Sequence, residues 1–151
     1  MPASAPRPKP SVPAAPLKTG ADFSSLLAER HVALAVSGGA DSIAMMRLAA
    51  DWARSNHPGL LLSVLTVDHR LRPEAAAEAN QVAGWAAALG LAHATLSWDD
   101  EPKPETGIQA RARAARYGLM AAWCQANGAA ALLTAHTLDD QAETVLMRLA
   151  R

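Results

Sequence analysis

An apolar run at 32–36 ends in Ser37-Gly38-Gly39, and an apolar helical pattern sets in from Ser42. This junction constrains the fold more than any other stretch of the chain. A short apolar run bounded by a turn fits a strand covered on both faces, and a strand that turns straight into a helix is half of a β-α-β unit. Two adjacent glycines let the backbone bend its N–H groups into a concavity without Cβ clashes. The positive end of the following helix faces the same spot. Strand, glycine turn and helix start therefore make a phosphate cradle.

The residues around the glycines narrow the type. A Walker A loop needs a lysine that is not here, and the spacing of Gly38-Gly39 does not match a dinucleotide fingerprint. What stands here is Ser37-Gly38-Gly39-Ala40-Asp41-Ser42. The hydroxyls of Ser37 and Ser42 can donate to phosphate oxygens. Asp41 is unusual at an anion site, because a carboxylate repels phosphate. It either holds a cation that bridges to phosphate or ties down loop amides.

Strand and helix patterns then alternate. Arg47, Asp51 and Arg54 recur as one wet stripe on the first helix. A second strand at 60–67 is apolar on both faces. Pro73 sits where a first helical turn tolerates it, and Glu74 and Glu78 suit the helix dipole. Val82, Trp85, Ala86 and Leu89 form the core face of that helix, and Gly90 ends it. A weaker strand at 91–98 and a charged loop at 99–106 follow. The next helix spans 108–125, with Ile108, Ala112, Ala115, Leu119 and Ala122 as its buried stripe, and Asn127-Gly128 ends it. Strand 130–134 comes next, and Asp139 opens a last helix that runs to Arg151. This order predicts an α/β fold, a doubly wound, Rossmann-like parallel sheet. With strand order 3-2-1-4 the first and fourth strands are neighbours, at the point where such sheets bind ligands.

Composition agrees with that reading. The chain has 151 residues, half of them hydrophobic and only 4% aromatic, so one domain with an aliphatic helix-on-sheet core is expected. Lys+Arg and Asp+Glu both total 14, which gives no general footprint for nucleic acid but leaves room for a local patch. Cys124 is the only cysteine, so there is no disulfide framework; it reads as a small buried hydrophobe. No apolar run approaches the length of a membrane span, and a reducing, cytoplasmic setting is expected. Residues 1–20 carry six prolines, three cations and no acids, and read as a disordered leader to a domain at 21–151. Trp85 and Trp123 read as core residues rather than base-stacking platforms.

A second segment, Thr134-Ala-His136-Thr-Leu-Asp139-Asp140-Gln-Ala-Glu143-Thr144, also follows a strand. Its acids either cap the expected helix or bind a metal. Like charges three and four apart on a helix repel, and Mg²⁺, which prefers hard oxygen ligands and phosphate, would relieve that. The predicted topology sets these acids, and His136 at the strand end, opposite the glycine turn. Phosphate donors and metal ligands then meet in one ATP–Mg²⁺ site.

Four blocks in this order resemble the tRNA(Ile)-lysidine synthases. They are Ala-Val-Ser-Gly-Gly-Ala-Asp-Ser, Thr-Val-Asp-His-Arg-Leu-Arg (66–72), Ala-Arg-Ala-Ala-Arg-Tyr (112–117) and the segment from Thr134. The first block is the PP-loop of the N-type ATP pyrophosphatases, which implies a fold of the adenine nucleotide alpha hydrolase type. The resemblance implies that the C2 carbonyl oxygen of the wobble cytidine of tRNA(Ile) is adenylated, with release of pyrophosphate. The amine of free L-lysine then displaces AMP. It implies that Ser37, Gly38, Gly39, Ala40, Asp41 and Ser42 hold the ATP phosphates, and that Asp68 and His69 lie near the nucleoside. Asp41, Asp140 and Glu143 become metal or polar ligands, while Arg113, Arg116 and His136 face the phosphates or the activated base. Without the resemblance, a strand-end turn is the less favoured reading of Asp68-His69, while Arg111, Arg113 and Arg116 read equally as a solvated helix face. The family continues beyond this segment, with a further Gly-rich stretch, a fifth strand and tRNA-embracing parts. The chain is thus expected to be an N-terminal fragment. Two rivals stay open: another PP-loop enzyme such as a tRNA thiolation enzyme, which often uses paired cysteines, and a non-catalytic nucleotide-binding piece.

Overall fold

The structure, a computed structural model, describes residues 22–99, 106–138 and 141–148. The expected leader at 1–20, most of the charged loop, and Asp139 and Asp140 lie outside the described residues. A 3₁₀ turn at Ser24–Leu26 precedes the sheet. The strands are β1 (His31–Ala35), β2 (Leu61–Asp68), β3 (Ala92–Ser97), β4 (Ala131–Leu138) and β5 (Gln141–Arg148). The helices are α1 (Ala40–Asn56), α2 (Ala75–Ala88) and α3 (Ile108–Asn127). The sheet order is β3-β2-β1-β4-β5. The first four strands pair in parallel, so the expected 3-2-1-4 arrangement is present.

Strand alternation sorts the core into two layers. Val32, Leu34, Val36, Leu62 and Val64 pack with Ile43, Met46, Val82 and Ala86 from α1 and α2. On the other face, Ala33, Leu65 and Leu132 pack with Met120 and Cys124 of α3. Helices pack on both faces, and the carboxyl ends of β1 and β2 come together beside Thr134 of β4. Among the described residues, no helix is long and apolar enough to cross a membrane.

Four expectations need correction. The first concerns the wet stripe on α1: Arg47 is 5% exposed, and its Nε donates to Asp51 at 2.7 Å. A cation with a carboxylate four residues on can be buried as a pair, which hydropathy patterning does not show. The second concerns α3, whose buried residues are Ala112, Met120 and Cys124, spaced in multiples of four, while Ala122 is exposed. The small alanines on every face hid which stripe is inner. Third, β4 runs to Leu138, so His136 lies within the strand and not at its end. Last, the helix expected from Asp139 is absent, and β5 pairs antiparallel with β4 over Gln141–Arg148. An open strand edge offers unpaired N–H and C=O groups, and an adjacent segment carrying Thr144 and Val145 satisfies them by local antiparallel pairing.

Candidate functional site

The glycine turn takes its shape from its neighbours. Backbone pairing of β1 stops at Ala35, yet Val36 N–H still donates to Leu65 O at 2.9 Å. Gly38 has φ +95°, a conformation that L side chains rarely adopt. Gly39 returns to φ −71°, ψ 156° and is the N-cap of α1. The Ser42 hydroxyl donates to Gly39 O at 2.9 Å and accepts Ser37 N–H at 3.2 Å. Ser42, expected as a phosphate donor, also shapes the loop from within. Ile43 N–H to Gly39 O is the first bond of the helical ladder. The amides of the first helical turn precede that ladder and sit at the positive end of α1. Ala40 and Asp41 are exposed in this turn.

Beside the turn lies a cavity of about 230 Å³, at the carboxyl ends of β1 and β2 and beside Thr134 and Ala135 in the middle of β4. Ser37, Thr66, His69, Arg72, Arg116 and Thr134 bring polar groups to it, over walls that include Leu65 and Met120. Arg116 Nε is buried with no hydrogen-bond partner among the described residues. A buried donor left unsatisfied costs about 1–3 kcal/mol, so this site suits an anionic ligand that supplies the acceptor. A smaller cavity of about 170 Å³ lies across the turn, lined by Ser37, Gly38, Gly39, Glu78 and Trp85. Ser37 and Glu78 line both cavities.

Of the residues singled out from the sequence, Ser37, Ser42, His69 and Arg116 meet at the larger cavity. The Asp68 carboxylate instead accepts Arg70 N–H at 2.8 Å and so holds Arg70 at φ +51°. This is the strand-end turn, closed by an Asx-type bond. Trp98 N–H donates to Asp68 O at 2.9 Å, and the His69 ring meets Trp98 edge-on at 6.0 Å. Arg70 pairs with Asp99 at 2.9 Å on the surface. Arg111 and Arg113 are exposed, and Arg113 and Arg116 lie 5.4 Å and 5.1 Å from the Tyr117 ring centre. Glu143 stands opposite His136 in the β4–β5 register. Glu143 therefore lies in a strand rather than in the first turn of a helix, and Asp140 lies outside the described residues. Trp85 and Trp123 pack against the core layers, as expected. Cys124 is buried, and burial pushes its thiol up to about 11.

Several residues at or beside the cavity were not nominated from the sequence. Thr66 and Thr134 are both buried, each following an apolar run within its strand, and a threonine closing such a run is a readable signal. Arg72 reaches Glu78 at 2.9 Å, a contact between loop and helix that spacing does not announce. His93 on β3 sits 3.0 Å from the Thr66 hydroxyl, and burial lowers its pKa below the usual histidine value.

Known proteins place this geometry. The chain is 57% identical over 129 residues to the tRNA(Ile)-lysidine synthase of Rhodopseudomonas palustris, covering 85% of this chain and 37% of that protein. It is 46% identical over 142 residues to the tRNA(Ile)-lysidine synthase of Rhizobium meliloti, covering 93% and 31%. The chain thus spans about a third of the length of these curated relatives. Among solved structures, the U34-tRNA thiolase NcsA from Methanococcus maripaludis with its [4Fe-4S] cluster superposes with a TM-score of 0.67 at 18% identity. That match covers 77% of this chain and 42% of that one, and it shows a shared fold. Residues 16–151 match the PP-loop domain family, and with strand, glycine turn and helix in that family's place, the chain belongs to the PP-loop domain family.

Proposed function

We propose that this chain is the ATP-binding, adenylating part of a tRNA(Ile)-lysidine synthase, an ATP-dependent tRNA-modifying ligase of the cytoplasm. The observation that carries the reading is convergence. Three sequence blocks remote in the chain supply Ser37, His69 and Arg116 to one cavity beside the glycine turn. The relatives' names support tRNA(Ile) as substrate, and PP-loop membership supports ATP.

In this reading the loop amides at Gly38–Ala40 and the N-terminus of α1 hold the ATP phosphates. Ser42 keeps the loop in shape, and Ser37 lines both cavities beside it. The C2 carbonyl oxygen of the wobble cytidine attacks the α phosphorus, and the α–β bridging oxygen leaves with pyrophosphate. Arg116 stabilises the charge that builds on the α phosphate. The lysine side-chain amine then attacks C2, AMP leaves, and the amine gives up a proton. His69 and Asp68 line and shape the nucleoside side, and Arg113 and His136 serve the phosphates or the activated base. Mg²⁺ commonly takes one or two carboxylates together with phosphate oxygens. Asp41, exposed in the first turn beside the loop, fits that mode, with Asp140 and Glu143 as the further acids. The ion supplies charge neutralisation along the phosphates.

The test is transfer of labelled lysine to tRNA(Ile) with ATP, alongside ATP binding by calorimetry. Arg116→Gln is expected to lower the lysine transfer rate by about a hundredfold or more, the usual loss for a transition-state donor. An Arg116→Gln rate equal to wild type would remove the proposed role.

A further inference from the structure

His93 lies on β3, two strands away from the glycine turn, and it is not among the residues lining the larger cavity. Its ring nonetheless connects to that turn. His93 Nε2 is 3.0 Å from Thr66 Oγ1, and Thr66 Oγ1 donates to Val36 O at 2.9 Å. A hydroxyl has one proton, and Val36 O can only accept. The Thr66 proton therefore points at Val36, and His93 Nε2 must donate. The same Val36–Ser37 peptide presents its N–H to Ser42 Oγ at 3.2 Å, and Ser42 Oγ passes its proton to Gly39 O at 2.9 Å. Every donor in the run points the same way, from His93 through Thr66, the 36–37 peptide and Ser42 to the Gly39 carbonyl. Such aligned bonds polarise and strengthen one another. Thr66 is 5% exposed, so little water competes for its hydroxyl.

The position in the chain gives the run its purpose. Val36 is the first residue past the end of β1: its N–H still bonds Leu65 O, while its C=O is held by the Thr66 hydroxyl. One soft ψ rotation there would swing Ser37 and re-aim the loop amides. The Thr66 hydroxyl continues the cross-strand ladder by one step, and His93 fixes which way that hydroxyl points.

We infer that His93, acting through Thr66, is a positioning residue that sets the Val36–Ser37 peptide and with it the aim of the phosphate-binding loop. This rests on the nucleotide reading above. The test titrates the 151-residue chain with ATP–Mg²⁺ by calorimetry and records amide exchange and shifts at Ser37 and Gly39 by NMR without ligand. His93→Leu removes the donor. It is expected to weaken ATP binding by about fivefold, within what one lost neutral hydrogen bond transmits, and to speed exchange at Ser37. His93→Gln, whose amide nitrogen reaches the Nε2 position, is expected to restore both. A folded His93→Leu chain with wild-type affinity and an unmoved Ser37 amide would overturn the inference. If His93→Leu does not fold, Thr66→Val with Thr66→Ser as its rescue decides the same question. A wild-type chain without ATP affinity would refute the nucleotide reading alone, and the ligand-free Ser37 exchange would still decide the relay.

Discussion

The two glycines of the turn are predicted to answer mutation differently, because only one is demanded by the fold. Gly38 sits at φ +95°, where an alanine is strained whatever the space around it. Left-handed backbone costs an L residue about 1–2 kcal/mol. The new Cβ would stand 3.6 Å from Val82 Cγ2, an ordinary contact, so no clash adds to that. Gly38→Ala should therefore lose about 1–2 kcal/mol and melt roughly 3–8 °C lower for a domain of this size. Gly39 sits at φ −71°, and its Cβ would meet only the Ser37 hydroxyl, at 3.6 Å. As N-cap, alanine is worse than glycine by about 0.5–1 kcal/mol. Against that, Gly→Ala at a compatible φ gains about 0.4–1 kcal/mol from the unfolded chain. The two offset, so Gly39→Ala should melt close to wild type. Its methyl nonetheless stands in the loop where phosphate must approach, so ATP affinity should fall about tenfold or more, and Gly39→Val should abolish binding. Differential scanning calorimetry and ATP titration on both variants measure this. Wild-type ATP affinity in folded Gly39→Ala would refute the cradle, and an unchanged melting temperature in Gly38→Ala would refute the strain argument.

Three further outcomes are expected. Because burial lowers the folded pKa of His93, the unfolded chain binds that proton first as pH falls. Stability should thus decline as pH drops below about 6.5, the unfolded histidine value, and His93→Gln should flatten this decline in melts taken from pH 8 to 5. Asp51→Asn strips the carboxylate from buried Arg47 and should cost about 3 kcal/mol, whereas Arg54→Ala, touching the same carboxylate from the surface, should cost under about 1 kcal/mol in urea unfolding. Cys124 should resist a maleimide at pH 8 while folded and react once unfolded, since its thiol is buried and titrates near about 11.

How much of this was legible in the chain varies by element. The apolar runs at 32–36 and 60–67, the glycine turn and the capped helices between them gave the parallel sheet, its strand order and the phosphate cradle. Those signals are local: a strand covered on both faces and a turn with positive φ each require particular residue types at adjacent positions. Val82, Ala86 and Cys124 were placed inside for the same reason, since period and size alone decide them. What only the tertiary structure decided depends on neighbours remote in sequence. Arg47 can be buried because Asp51 meets it, and the inner stripe of α3 follows from how the helix lies on β2 and β4. Residues from Gln141 to Arg148 form β5, although Glu143 and the apolar spacing suit a helix, because the adjacent edge of β4 offers hydrogen bonds that local propensity cannot weigh. That Asp68 closes a turn through the Arg70 amide is likewise decided by the chain after the strand. His93, in a weak edge strand with no motif around it, matters through Thr66 and Val36, whose positions are 27 and 57 residues upstream. Hydrogen bonds over such separations exist only once the strands are side by side.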